Sequence, residues 1–109
     1  MPALIVFCTC PDLVFADALA HSLVQQRLAA CVTLLPPAQS VYRWNGAIER
    51  GSEVQMLIKT TRARFAELEA MIVAAHPYEL PELIAVEPAA GLERYLDWIG
   101  ASTSPATAS

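Results

Sequence analysis

The sequence predicts an α+β fold in the order βαββαβ, followed by one further helix, and three observations carry that reading. Strand-like apolar runs alternate with segments of helical period, as in a layered sheet-and-helix domain. An Asn45-Gly46 pair stands between two strand-like runs, the strongest local signal for a hairpin. A length of 109 residues suits one core and is too short for two. Two crossovers joined by a hairpin make the ferredoxin-like pattern.

Each element has its own signal. Residues 3–8 are apolar at nearly every position, as in a strand covered on both faces, and Pro11-Asp12 then interrupts the run. Phe15, Ala18, Leu19, Ser22 and Leu23 recur at helical spacing and predict a helix over 13–28. Residues 31–35 begin the second strand. Pro36-Pro37 cannot donate to a ladder, so this strand lies at an edge or carries a bulge before resuming over 40–44.

After the type I′ turn, Val54, Met56 and Ile58 alternate with Gln55 and Lys59 in a third strand, which makes the hairpin between the second and third strands long. Thr60-Thr61 offers a hydroxyl N-cap to a helix whose stripe is Phe65, Leu68, Met71, Ile72 and Ala75. Pro77 ends that helix after His76. Residues 83–86 supply the fourth strand, and Leu92, Tyr95, Leu96 and Ile99 share one side of a short helix over 92–99. The expected organisation is one domain over residues 1–100 and a flexible tail over 101–109.

Composition limits the partners. Hydrophobic residues make up 55% and charged ones 17%, against about 25% charged in an average domain, so apolar surface is in excess. In a two-crossover fold both long helices cover one sheet face. A first strand apolar on both sides therefore leaves a second face to be covered, and self-association covers it. Arg27, Arg43, Arg50 and Pro36-Pro37 break every run of the roughly 20 apolar residues that a membrane helix needs. Seven basic residues are scattered through a chain of net charge −4, which argues against nucleic acid. The amino terminus lacks the charged start of a secretory signal, and three cysteines do not make an even disulfide framework, so the expected location is cytoplasmic. A Gly-rich phosphate loop, a nucleophile elbow and an H-E-x-x-H helix are all missing from the sequence, so neither an enzyme nor an organic cofactor is expected.

Cys8, Cys31 and His76 are soft or borderline ligands suited to copper or zinc, although no two stand at zinc-finger spacing. The plain alternative is two small buried thiols and a histidine that suits a helix carboxyl terminus. A Cys–His nucleophile pair is a further reading, with no oxyanion motif beside it. Residues 76–82 are unusual: two prolines stiffen a loop that presents a histidine, a tyrosine and two carboxylates. Lys59, Arg62 and Arg64 surround a helix start that could attract an anion or simply be capped and solvated.

Phe7-Cys8-Thr9, Leu28-Ala29-Ala30-Cys31-Val32, Val41-Tyr42-Arg43-Trp44-Asn45-Gly46, Leu57-Ile58-Lys59-Thr60-Thr61, His76-Pro77-Tyr78-Glu79-Leu80-Pro81-Glu82 and Tyr95-Leu96-Asp97-Trp98 occur in this order. Together they resemble the CutA divalent-ion tolerance family, over nearly the whole chain. The resemblance implies a ferredoxin-like fold, a tight, heat-resistant homotrimer, and a link to divalent-cation tolerance in which copper is the metal most often invoked. It also implies Cys8, Cys31 and His76 as metal-ligand positions. Cys10 departs from the family pattern, and a second thiol two residues from Cys8 can change metal preference.

The expected sheet order, 4-1-3-2, puts the third strand between Cys8 and Cys31, about two strand spacings of ~4.8 Å apart. Their ligands would then converge from different subunits or serve separate sites. The alternative function is a PII-like trimeric regulatory or scaffolding module that binds a small molecule or protein. The tight Asn45-Gly46 turn stands against a true PII protein, whose signalling loop leaves from that connection.

Overall fold

The structure, a computed structural model, describes residues 2–105. Its elements are β1 (Ala3–Cys10), α1 (Leu13–Gln25), β2 (Cys31–Leu34), β3 (Ala38–Trp44), β4 (Ala47–Thr61), α2 (Arg62–Ala75), β5 (Ile84–Val86) and α3 (Glu93–Thr103). One sheet runs in the order β2-β4-β1-β5, with β3 paired to the far half of β4 and every pairing antiparallel.

Strand alternation sorts the residues. Leu4, Val6, Cys8 and Cys10 of β1 and Val54, Met56 and Ile58 of β4 face one way and are buried against Ala16, Leu19 and Leu23 of α1 and Leu68 and Ile72 of α2. Each such Leu or Ile contributes about 1.5–3 kcal/mol through burial. The other face carries Ile5, Phe7 and Leu57, which are only half-buried. Over part of that face lies α3, where the Thr103 and Thr61 hydroxyls meet at 3.5 Å.

Pro36 and Pro37 do what their missing donors require. Leu35, Pro36 and Pro37 stand opposite only Val54 and Gln55, a one-residue bulge that splits the expected second strand into β2 and β3. Beyond it β3 and the start of β4 form a two-stranded arm. Asn45 (φ 50°) and Gly46 (φ 79°) turn it with the positive φ that a type I′ turn needs. The arm stretches the chain to 50 Å and its radius of gyration to 14.8 Å, where about 13 Å is usual for about 100 residues.

The helix ends differ from the expectation. A caps-and-carbonyls closure stops α1 at Gln25 rather than near residue 28: Leu28 N–H donates to the Leu23 carbonyl (2.9 Å) and Arg27 N–H to that of Val24 (3.0 Å). Arg27 takes the left-handed conformation (φ 60°) that glycine usually fills. Its guanidinium donates to the carbonyls of Ala101 (2.7 Å) and Ser104, closing the end of α3. With its carbonyls satisfied, α3 runs to Thr103, which is fully buried, so the first three residues of the expected tail are helical. Residues 106–109 of that tail lie outside the described residues.

Candidate metal centre

Two residues apart on one strand means the same face. Cys8 and Cys10 therefore both point from β1 toward the helices, and both are fully buried. Across the strand boundary Cys8 pairs with Met56, whose Sδ lies 3.1 Å from Cys10 Sγ. His76 arrives from the end of α2, where Pro77 forces it out of helical geometry (ψ 134°). The ligand atoms of Cys8, Cys10 and His76 all lie within 4.8 Å of one another, and His76 is only 8% exposed.

The imidazole is held at both nitrogens. Tyr78 N–H donates to Nδ1 (3.1 Å), which assigns the ring proton to Nε2, and Nε2–H donates to the Thr9 carbonyl (2.8 Å). Phe15 meets the ring edge-on at 5.3 Å between centroids, and Tyr78 tilts against it at 4.6 Å. The interaction between the two neighbouring thiols pushes Cys8 up and Cys10 down; burial adds to the rise at Cys8.

Cys31 is elsewhere. It pairs with Lys59, an odd number of residues along β4 from Met56, so it faces the opposite side of the sheet from Cys8. There Lys59 Nζ donates to its sulfur at 3.8 Å and the Tyr95 hydroxyl stands 3.8 Å away. Of the expected set Cys8, Cys31 and His76, one chain thus unites Cys8 with His76, leaves out Cys31 and brings in Cys10. The signal for Cys10 was present in the sequence as Cys-x-Cys on a strand, a spacing of one strand period.

The 76–82 loop is tied to β4. Tyr78 O–H donates to Glu53 (2.8 Å), and Gln55 donates to Glu82 (3.2 Å). Burial and then the Glu53 hydrogen bond raise the Tyr78 phenol. Between this loop and the arm lies an open groove of ≈ 970 Å³, with Thr9, Tyr42, Trp44 and Glu53 among its walls. The basic cluster at the start of α2 is committed to protein partners: Arg62 pairs with Glu87, and Arg64 donates to the Arg27 carbonyl (3.3 Å) and to Glu67 (2.9 Å). Thr60 donates to the Leu28 carbonyl (2.6 Å), and Thr61 makes no side-chain cap.

Comparison with known proteins extends the sequence resemblance. Residues 4–102 match the family described as CutA1 divalent ion tolerance protein. The chain is 47% identical over 100 residues to the divalent-cation tolerance protein CutA of Pectobacterium atrosepticum, covering 92% of this chain and 91% of that one. It is 40% identical over 99 residues to the Thermus thermophilus protein of the same name, covering 91% and 96%. Among solved structures, CutA from Xylella fastidiosa superposes with a TM-score of 0.92 at 47% identity, covering 95% of this chain and all of that one.

Proposed function

The chain belongs to the CutA1 divalent ion tolerance family, and from that premise we propose that it is a non-enzymatic homotrimer that binds a divalent cation, copper among the candidates, and acts in cation tolerance in the cytoplasm. The observation that carries the metal reading is the buried group of Cys8, Cys10 and His76, all within 4.8 Å. In this reading Cys10 takes the place within the chain that resemblance assigned to Cys31. Thiolate and imidazole are the ligands that zinc and copper prefer.

A ferredoxin-like sandwich whose second face α3 covers only in part needs a further cover. Ile84 (58% exposed) and Val86 (42%) lie beside the half-buried Ile5 and Phe7, and the arm exposes Val41 and Ile48. Such contiguous apolar surface supports self-association, and the number three comes from the family. Both nitrogens of His76 make hydrogen bonds, so acting as a base toward Cys8 or Cys10 and ligating an ion through Nδ1 both require release of the Tyr78 N–H. The groove between arm and loop favours a second reading, a PII-like module that captures a small molecule independently of metal.

Anaerobic titration of the reduced protein with Zn(II), at known oligomer mass, tests the metal reading. The expected result is one ion per chain, lost in both Cys8→Ser and His76→Ala. Weak, non-stoichiometric binding, or binding that survives both substitutions, overturns it and favours the small-molecule module.

A further inference from the structure

We infer that Cys8, Cys10 and Met56 form a three-sulfur site for monovalent copper, with a ligand set different from the Cys–Cys–His group that would hold a divalent ion. The inference rests on the metal reading of this cluster and assigns its preferred oxidation state. Its geometric basis is the third sulfur: Met56 Sδ lies 3.1 Å from Cys10 Sγ, and Met56 is the direct cross-strand partner of Cys8.

Ligand chemistry separates the two ions. Zinc takes cysteine sulfur, histidine nitrogen and carboxylate oxygen, whereas thioether sulfur is a ligand for soft monovalent copper. With metal–sulfur bonds of about 2.3 Å, three sulfurs in a plane around one ion stand about 4 Å apart. The Cys10–Met56 contact would open by about an ångström to reach that spacing, and the Cys8–Cys10 separation already falls within 4.8 Å. Methionine's unbranched, three-torsion chain accommodates such a shift.

His76 is the weaker claimant for a soft ion. To ligate through Nδ1 it must give up the Tyr78 N–H, and Nε2 is bonded to the Thr9 carbonyl. Leaving a buried N–H without its acceptor is costly. The sulfurs give up less: Cys8 S–H meets the Thr9 carbonyl at 3.8 Å and Cys10 S–H meets Met56 Sδ at 3.1 Å, and a thiol is a weak donor and a thioether a weak acceptor. All three are fully buried, and sulfur ligands shielded from water suit monovalent copper better than a hydrated divalent ion.

The test compares two metals in the reduced, anaerobic full chain: Cu(I), delivered as its acetonitrile complex and competed against bicinchoninate, and Zn(II). The variants are Met56→Leu, which conserves volume, and His76→Ala, with oligomer mass and circular dichroism as folding controls. Losing even an outer partner of a metal ligand costs about 10–100-fold in affinity, so Met56→Leu is expected to weaken Cu(I) at least about tenfold and to leave Zn(II) unchanged. Conversely, His76→Ala removes Zn(II) and leaves Cu(I) within a few-fold. Copper-edge X-ray absorption of the Cu(I) form should show a first shell of sulfur alone. Unchanged Cu(I) affinity in Met56→Leu, or parallel loss of both metals in His76→Ala, overturns the three-sulfur site while the divalent reading stands. A parent chain that takes neither metal overturns both. If His76→Ala does not fold, Met56→Leu and the absorption spectrum of the parent decide.

Discussion

The two faces of the sheet are made from the same strands and end in opposite conditions. On the helix side Leu4, Val6, Cys8 and Cys10 are at most 3% exposed, while their neighbours Ile5, Phe7 and Thr9 remain half-buried and Ile84 is 58% exposed. Both sides of β1 are apolar, so hydrophobicity does not separate them; the crossover helices do, because both pack on one side. Parity along a strand thus decides each residue's chemistry. It places Cys8 and Cys10 in the buried core and Cys31 beside Lys59 and Tyr95 on the other side.

A charge on the open face should break the comparison most visibly. Phe7→Glu puts a carboxylate on the surface that the proposed trimer covers, and burying an unpaired charge there is prohibitive. The expected outcome is a fall from trimer to monomer mass by analytical ultracentrifugation, with helical circular dichroism retained. A trimer that survives Phe7→Glu would show that the open face is not where subunits meet.

The matching change on the closed face should alter stability and spare assembly. Leu23 is fully buried in α1 against the sheet, and Leu23→Ala leaves a cavity expected to cost about 2–5 kcal/mol. Denaturant unfolding at fixed protein concentration measures it, since the stability of an oligomer depends on concentration. Unchanged mass with a lowered midpoint is the predicted pattern.

How much of this was legible beforehand follows the range of the interactions. Local signals carried far: Asn45-Gly46 turned as its φ requirement demands, the proline pair produced a bulge, and Pro77 ended α2 at His76. What the sequence did not disclose was set by contacts between distant residues. Cys10 and Met56 meet only because β1 and β4 pair in one register out of several. Thr103 is helical because Arg27, some 74 residues away from Ala101, closes the end of α3. Thr61 reads as a cap by local rules, yet its hydroxyl turns to Thr103. The expected ligand Cys31 came from residue chemistry and from resemblance, and sheet parity places it away from Cys8 within the chain.

A smaller effect sharpens how the closed face is held shut. Asp12 accepts from Phe15 N–H at 2.8 Å and so starts α1 directly beside Cys10 and Pro11. Asp12→Ala removes the cap and is expected to cost about 1 kcal/mol, within the usual 0.5–2. Asp12→Asn should recover most of it, because an amide oxygen caps as well as a carboxylate. Thermal or denaturant unfolding of the pair reads the difference, and equal losses in both variants would show that something other than the cap is at work.

The smallest effect lies on the rim that joins the two faces. Tyr78 tilts against His76 on one side and donates to Glu53 on the other. Its phenol is raised by burial and by the Glu53 carboxylate, so the folded chain favours the neutral form. A group whose folded pKa exceeds its unfolded value, about 10 for tyrosine, contributes stability that is complete below pH about 10 and declines as pH rises through the folded value. The hydrogen bond is partly exposed, so Tyr78→Phe should cost about 0.5–1 kcal/mol at neutral pH. The gap between parent and variant should then narrow as pH climbs above about 10. Unfolding measured at pH 8 and at pH 11 checks the sign: a gap that widens with alkali would mean that Glu53 does not hold the neutral phenol and that the rim is fastened by packing alone.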